Sequence, residues 1–150
     1  MALAKMSVAE LEQFLRDEFP QAFSGDDITI ESADGQTCLL RQRYGEKMLR
    51  PGGTVSGPTL MALADFAMYV VLLSAIGPIG LAVTTNLNIN FLRKPAPRDL
   101  VAEARLLKLG KRLATGEVTI CSDGETEPVA LVTSTYSIPS KGGGDGIIEP

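Results

Sequence analysis

A chain of 150 residues that is 45% hydrophobic can bury the core of one domain without help from disulfides or metals. Its formal net charge of −4 and the lack of a long basic run argue against nucleic-acid binding. The sequence contains no histidine, which excludes every mechanism that depends on a histidine base or metal ligand. We therefore expect no metal site, and a base, if there is one, must be Asp, Glu, Lys, Tyr or Cys.

The two cysteines, Cys38 and Cys121, show neither CxxC spacing nor a disulfide framework, which is typical of a reduced cytoplasmic protein. The N-terminal segment has acidic residues within its apolar pattern, so we expect no signal peptide. The longest charge-free run, residues 66–82, is interrupted by Gly77-Pro78 and is too short for a membrane span. These observations predict a cytoplasmic protein that does not enter a membrane.

The first predicted element is an amphipathic helix within residues 7–19. Ser7 with Glu10 three residues later forms the pattern of a capping box, and Pro20 ends the helix. Two short strands follow, joined by the turn signal Asp34-Gly35. We place these strands at residues 27–33 and 37–44, and residues 46–57 form a loop rich in glycine and proline.

The next element is a long helix that begins near Pro58, because proline fits the first helical position. From Leu60 to Ile76 its residues are apolar on every side except for Asp65 and Ser74, so the helix is buried on every side. Burial of an unpaired carboxylate costs several kcal/mol. Asp65 is therefore either a functional group or one half of a buried ion pair.

After this helix the pattern changes to the two-residue period of a strand. In "LAVTTNLNINFL", Leu87, Ile89 and Phe91 share one face, and Thr84 falls with Asn86, Asn88 and Asn90 on the polar face. Three further strands are predicted at residues 100–109, 113–122 and 129–138. The order predicts an α+β fold in which one antiparallel sheet, containing four meandering strands and a hairpin, curves around the long helix. Residues 1–139 then form a single domain, and residues 140–150 a flexible Gly-rich tail.

This arrangement resembles the hotdog fold, and the segment 50–76 resembles acyl-CoA thioesterases of the phenylacetate-pathway (PaaI) type. That family carries G-x-x-H-G-G, about seven residues, and then L-x-D in the central helix. The stretch "GTVSGPTLMALAD" matches at Gly53, Gly57, Leu63 and Asp65. Ser56 stands in place of the family's histidine, Pro58 in place of its second glycine, and Arg50 in place of a frequent asparagine or glutamine.

The resemblance implies hydrolysis of an acyl-CoA thioester, with Asp65 as general base or nucleophile. The Gly57 N–H, at the N-terminus of the long helix, would stabilise the oxyanion. Thr84 would hold the attacking water, unless it reflects only the strand preference of threonine. Ser56 either hydrogen-bonds to the same region or caps the helix.

The spacing within the long helix also bears on assembly. Asp65 lies two helical turns after Pro58, about 10 Å along the axis. Asp65 and Gly57 of one chain are then too far apart to act on one carbonyl, so a second subunit must supply one of them. The resemblance implies a homodimer with two composite sites, and two such dimers in a tetramer.

CoA carries phosphates, so we expect basic residues at the mouth of the site, although each could simply lie on a solvated surface. The candidates are Arg93, Lys94, Lys108, Lys111 and Arg112. CoA belongs to the substrate, and no separate cofactor is expected. A second hypothesis is an acyl-CoA-binding hotdog protein without turnover. A hotdog hydratase is disfavoured because such enzymes usually pair an acid with a histidine.

Overall fold

The computed structural model describes residues 4–140, so nearly all of the predicted Gly-rich tail lies outside the described residues. Within these residues there are two α-helices, α1 (Val8–Glu18) and α2 (Gly57–Ile76), and a 3-10 helix at Glu46–Met48. The strands are β1 (Ile28–Ala33), β2 (Thr37–Gln42), β3 (Leu49–Arg50), β4 (Thr54–Val55), β5 (Val83–Phe91), β6 (Leu100–Leu109), β7 (Leu113–Ser122) and β8 (Ala130–Ser137). The predicted loop at 46–57 therefore contains a 3-10 helix and a small hairpin.

Six strands form one antiparallel sheet in the order β1-β2-β6-β7-β8-β5. The prediction that all four C-terminal strands form a meander was wrong for β5, because this strand pairs with β8 at the far edge and not with β6. The segment 92–99 returns the chain across the end of the sheet to β6, which pairs with β2. The sheet is thus continuous from the N-terminal hairpin to β5, and β5 is an edge strand.

Helix α2 packs along the inner face of this sheet, and most of its side chains are buried from Leu63 onward. Gly116 in β7 allows the close approach. A Cβ atom at that position would lie 2.7 Å from both the Arg105 carbonyl oxygen and the Met68 sulfur. This long helix with a curved antiparallel sheet around it confirms the predicted hotdog fold.

By length and composition alone α2 could cross a membrane. Its most apolar window is 72% buried inside the fold. The helix is therefore core, and the residues that make it apolar are those that contact the sheet.

Local signals in the N-terminal region behave as predicted. The Glu10 N–H donates to Ser7 Oγ at 3.1 Å and the Ser7 N–H to Glu10 Oε1 at 2.8 Å, which completes the capping box. In the hairpin turn, the Asp34 carboxylate accepts from the Thr37 and Gln36 N–H groups, and these bonds lower the pKa of Asp34. Gly35 adopts φ 90°, a conformation that favours glycine.

Candidate active site

Asp65 is partly buried on α2, and two hydroxyl groups bind the same oxygen of its carboxylate. Thr84 Oγ1 donates to Asp65 Oδ1 at 2.7 Å, and the Tyr136 hydroxyl donates to the same atom at 3.0 Å. In the described part of the chain no lysine or arginine forms an ion pair with Asp65. Hydroxyl donors therefore take the place of the ion pair that the sequence left open as an alternative.

A β-bulge decides where Thr84 points. The register pairs Thr84 with Tyr136 and Asn86 with Thr135, so Thr85 is an extra residue between them. The extra residue shifts the alternation by one and moves Thr84 to the inner face, beside Asp65. The prediction that Thr84 shares the polar face with the asparagines was wrong, because a strict two-residue period cannot anticipate a bulge.

Tyr136 is the residue at this site that sequence reasoning missed. Its side chain is only 3% exposed, and its ring stacks on Tyr69 with centroids 6.1 Å apart. Burial, with the nearby Asp65 charge, raises the pKa of Tyr136, so its hydroxyl stays a donor at neutral pH. A signal was present in the sequence. The period of β8 places Tyr136 on the inner face with Val132 and Ser134, where a phenol needs a partner.

The Asp65 carboxylate opens onto a cleft of about 920 Å³. Four of the side chains that line it are phenylalanine or tyrosine from α1, its C-cap and α2, namely Phe14, Phe19, Phe66 and Tyr69. Residues of the segment from Pro78 to Thr84 also line it. Among the described residues that line the cleft, the charged ones are Glu18 and Asp65, and none is a lysine or arginine. The cleft is thus apolar, aromatic and slightly acidic, which suits an uncharged apolar group.

The N-terminus of α2 forms a second, separate feature. Ser56 is the N-cap, since its Oγ accepts from the Thr59 N–H at 3.3 Å and lies 2.9 Å from Thr59 Oγ1. This geometry fits the capping alternative for Ser56. Pro58 has no N–H, and the Gly57 N–H has no acceptor in the described part of the chain. Gly57 therefore offers an unpaired donor at the positive end of the helix.

Gly57 also has a packing reason to be glycine. A Cβ atom there would lie 3.2 Å from the ring of Phe91, which covers this end of α2 from the end of β5. Neither Ser56 nor Gly57 lines the cleft. Thr84 and Phe91 are seven residues apart on β5, roughly 23 Å at the rise of a strand. Within one protomer the α2 N-terminus and the Asp65 cleft are therefore distinct places.

The five basic candidates do not form one cluster. Lys108, Lys111 and Arg112 lie around the β6–β7 turn, at the sheet end where Ser137 pairs with both Val83 and Leu113. Arg93 and Lys94 follow Phe91, at the opposite end of β5. Arg93 is also engaged, since Nη1 contacts Glu127 Oε1 at 3.1 Å and Nε donates to the Pro128 carbonyl. Within one protomer the five residues therefore lie at two places, because β5 separates them by the length of the sheet.

Other candidate chemistry is sparse. Within residues 4–140 no group of histidine, cysteine or carboxylate side chains has metal-binding geometry. Both cysteines are free. Burial raises the pKa of the Cys38 thiol to about 12, and its sulfur contacts the Ala67 carbonyl at 3.4 Å. Cys38 is thus a core residue and not a nucleophile.

Comparison with known proteins bears on this geometry. The family model described as the thioesterase superfamily matches residues 52–129, which include α2, β5, β6 and β7. The chain belongs to the thioesterase superfamily. This membership confirms the family expected from the resemblance, and it supports thioester hydrolysis as the general reaction. The family model identifies the superfamily and does not distinguish the PaaI type within it.

Three similar proteins are informative about this chain. The crystal structure of a thioesterase candidate from Silicibacter sp. TM1040 matches with 43% identity and TM-score 0.83, covering 91% of this chain and 94% of that one. An esterase candidate from Saccharolobus solfataricus is 27% identical over 89% of this chain and 86% of its own length. Zebra fish thioesterase superfamily member 2 has TM-score 0.78 at 18% identity, covering 90% of this chain and all of that one, and shows the shared fold.

Proposed function

We propose that this protein hydrolyses acyl-CoA thioesters to the free acid and CoA, as PaaI-type enzymes do. One observation carries the proposal. A carboxylate with hydroxyl donors, and without a cationic partner among residues 4–140, faces an apolar cleft in a protein of this superfamily. An ion pair would neutralise the charge, whereas hydroxyl donors leave the carboxylate free to accept a proton.

Two routes remain open for Asp65. As a general base, it accepts a proton from water while the water oxygen bonds to the thioester carbon. As a nucleophile, it bonds to that carbon itself, and water then cleaves the resulting anhydride. In both routes the C–S bond breaks and the CoA thiolate leaves. A backbone N–H near the carbonyl oxygen would stabilise the intermediate.

The Gly57 N–H is the proposed oxyanion donor, and it would come from a second protomer. The edge strand β5 can pair with its own copy across a twofold axis, which makes the two strands antiparallel. The Phe91 end of one strand then lies beside the Thr84 end of the other. This arrangement brings the Gly57 of one protomer toward the Asp65 cleft of its partner, and it supports a dimer with two composite sites.

The same pairing would gather the basic residues that one chain keeps apart. Arg93 and Lys94 of one protomer would approach the β6–β7 turn of the other, which carries Lys108, Lys111 and Arg112. CoA phosphates would bind to this combined surface, which each dimer would form twice. We further propose that the dimers associate as a tetramer, that CoA enters only as part of the substrate, and that the protein works in the cytoplasm.

The cleft supports an uncharged, apolar acyl group. Its aromatic walls favour apolar carbon, and the carboxylate of Glu18 disfavours an acyl chain that ends in a second negative charge. A panel of acyl-CoAs should therefore show release of free thiol from neutral acyl groups and much less from acyl groups ending in a carboxylate.

Asp65→Asn tests the proposal. Asparagine keeps an oxygen for the two hydroxyl donors but cannot act as a base, so turnover should fall by about 10²-fold or more. The melting temperature should hold or rise, because a partly buried charge is removed. Asp26→Asn, on an exposed loop, is the matched control and should keep full turnover. Equal thiol release by Asp65→Asn and wild type would refute the assignment.

A second function, acyl-CoA binding without turnover, is favoured by one observation. Ser56 acts as a helix cap where PaaI-type enzymes carry histidine, and Arg50 stands where asparagine or glutamine is frequent. Titration of the protein with each acyl-CoA by calorimetry separates the two functions. Tight binding with no thiol released from any member of the panel would establish the binding protein.

A further inference from the structure

The Tyr136 hydroxyl contacts Asp65 at two atoms. It lies 3.0 Å from the side-chain Oδ1 and 3.1 Å from the main-chain carbonyl oxygen of the same residue. One hydroxyl has a single proton, which the two acceptors share. The Tyr136 hydroxyl therefore bridges the carboxylate and the main-chain carbonyl of Asp65, and this limits rotation of the Asp65 side chain.

The donors are also distributed unequally over the carboxylate. Thr84 and Tyr136 both donate to Oδ1, and no side chain in the described range donates to Oδ2. A carboxylate with two donors on one oxygen presents its other oxygen to whatever enters the cleft. Oδ2 is thus the atom left to accept a proton or to attack a carbonyl carbon.

The position of Tyr136 is rigid. Its side chain is almost fully buried, its ring stacks on Tyr69 at an interplanar angle of 19°, and its strand pairs with β7 and β5 on both sides. Its strand partner Thr84 is brought to the same face by the bulge at Thr85. The second donor, Thr84, is thus positioned by its pairing with Tyr136.

We infer that Tyr136 is a positioning residue, which together with Thr84 binds Asp65 Oδ1 and thereby makes Oδ2 the reacting oxygen. The inference rests on the proposed function for its kinetic consequence but not for its structural one. It assigns to β8 a role in the site that neither the motif around Gly57 nor the strand pattern assigns. Tyr136 acts through Asp65 and does not itself touch the acyl group.

The test compares Tyr136→Phe with Tyr44→Phe, a tyrosine outside the cleft. Phenylalanine keeps the buried ring and removes one hydroxyl. For Tyr136→Phe we expect kcat to fall about 10-fold with KM within about twofold, because orientation of the reacting oxygen is lost while the cleft is intact. Tyr44→Phe should change neither constant. In an Asp65→Asn background, Tyr136→Phe should have no further effect on kcat.

A second measurement does not depend on activity. Crystal structures of wild type and Tyr136→Phe should show one orientation of the Asp65 carboxylate in the first and a rotated or divided one in the second. An unchanged carboxylate in Tyr136→Phe overturns the inference, as does an equal fall in kcat with and without Asp65. If the wild type releases no thiol from any acyl-CoA, the proposed function fails, and the carboxylate orientation still decides the inference.

Discussion

The two ends of β5 differ in how they are built. At the Phe91 end, the donor is a backbone N–H, set by a serine cap, a glycine and a proline within three consecutive residues. At the Thr84 end, a carboxylate, two hydroxyls and an aromatic cleft come from α1, α2, β5 and β8. The first end is local in sequence and the second is not. A short motif can therefore reveal the proposed oxyanion donor, whereas the geometry of the proposed base depends on the whole fold.

The largest effect expected at the Phe91 end is at Gly57. Gly57→Pro removes the N–H while proline remains tolerable in the first helical turn, so kcat should fall about 10²-fold. Gly57→Ala keeps the N–H and adds only a methyl group beside Phe91, whose ring is 53% exposed and can move. For Gly57→Ala, kcat should therefore fall by less than about 10-fold. Steady-state kinetics on both variants checks this, and equal losses would show that packing, not the donor, requires glycine.

Mixed dimers of two inactive variants test whether Asp65 and Gly57 of one site come from different protomers. Asp65→Asn and Gly57→Pro protomers, refolded together, should form mixed dimers that each contain one intact composite site. Random pairing then restores about one quarter of wild-type activity. Each variant refolded alone is the control. A mixture no more active than its parents would place both groups of a site in one protomer, and light scattering at the single-chain mass of 15.9 kDa would do the same.

A smaller effect is expected at the basic turn beside the Thr84 end. Lys111→Glu with Arg112→Glu removes two charge-assisted contacts to the CoA phosphates, so KM for acyl-CoA should rise while kcat and the melting temperature stay unchanged. The rise should be only about 10-fold, because solvent screens exposed phosphate contacts. Arg43→Glu with Lys47→Glu makes the same change in charge near the end of β2. If both pairs raise KM equally, net charge alone is responsible.

The smallest effect concerns a region that belongs to neither end, where α2 meets β2. Burial raises the pKa of Cys38 to about 12, above the value of about 8.5 for an unfolded thiol. The folded state thus holds a proton that the unfolded state loses, so stability is full below about pH 8.5 and falls as pH rises toward 12. The slope is at most about 1.4 kcal/mol per pH unit. Chemical denaturation at a series of pH values measures this. For Cys38→Ala the free energy of unfolding should fall less steeply with pH than in the wild type, and an equally steep fall would contradict the prediction.

Much of the fold follows from local patterns. The capping box at Ser7 and the turn at Asp34 use contacts within three residues, and the apolar run of α2 predicts its burial directly. The edge position of β5 could not be predicted from the same patterns. Strands with equal alternation can pair in several orders, and only the return of the chain to β6 beside β2 selects one.

For the site, the sequence by itself determined which carboxylate lies within the buried helix and which glycine begins that helix. Both conclusions need only helical periodicity and the N-cap pattern, which act over one or two turns. Tertiary structure alone decided what Asp65 touches. One extra residue at Thr85 moves Thr84 to the inner face, and strand pairing over some fifty residues places Tyr136 opposite it. A hydrogen bond reaches only about 3 Å, so the partners of a side chain depend on register and bulges that no short stretch of sequence encodes.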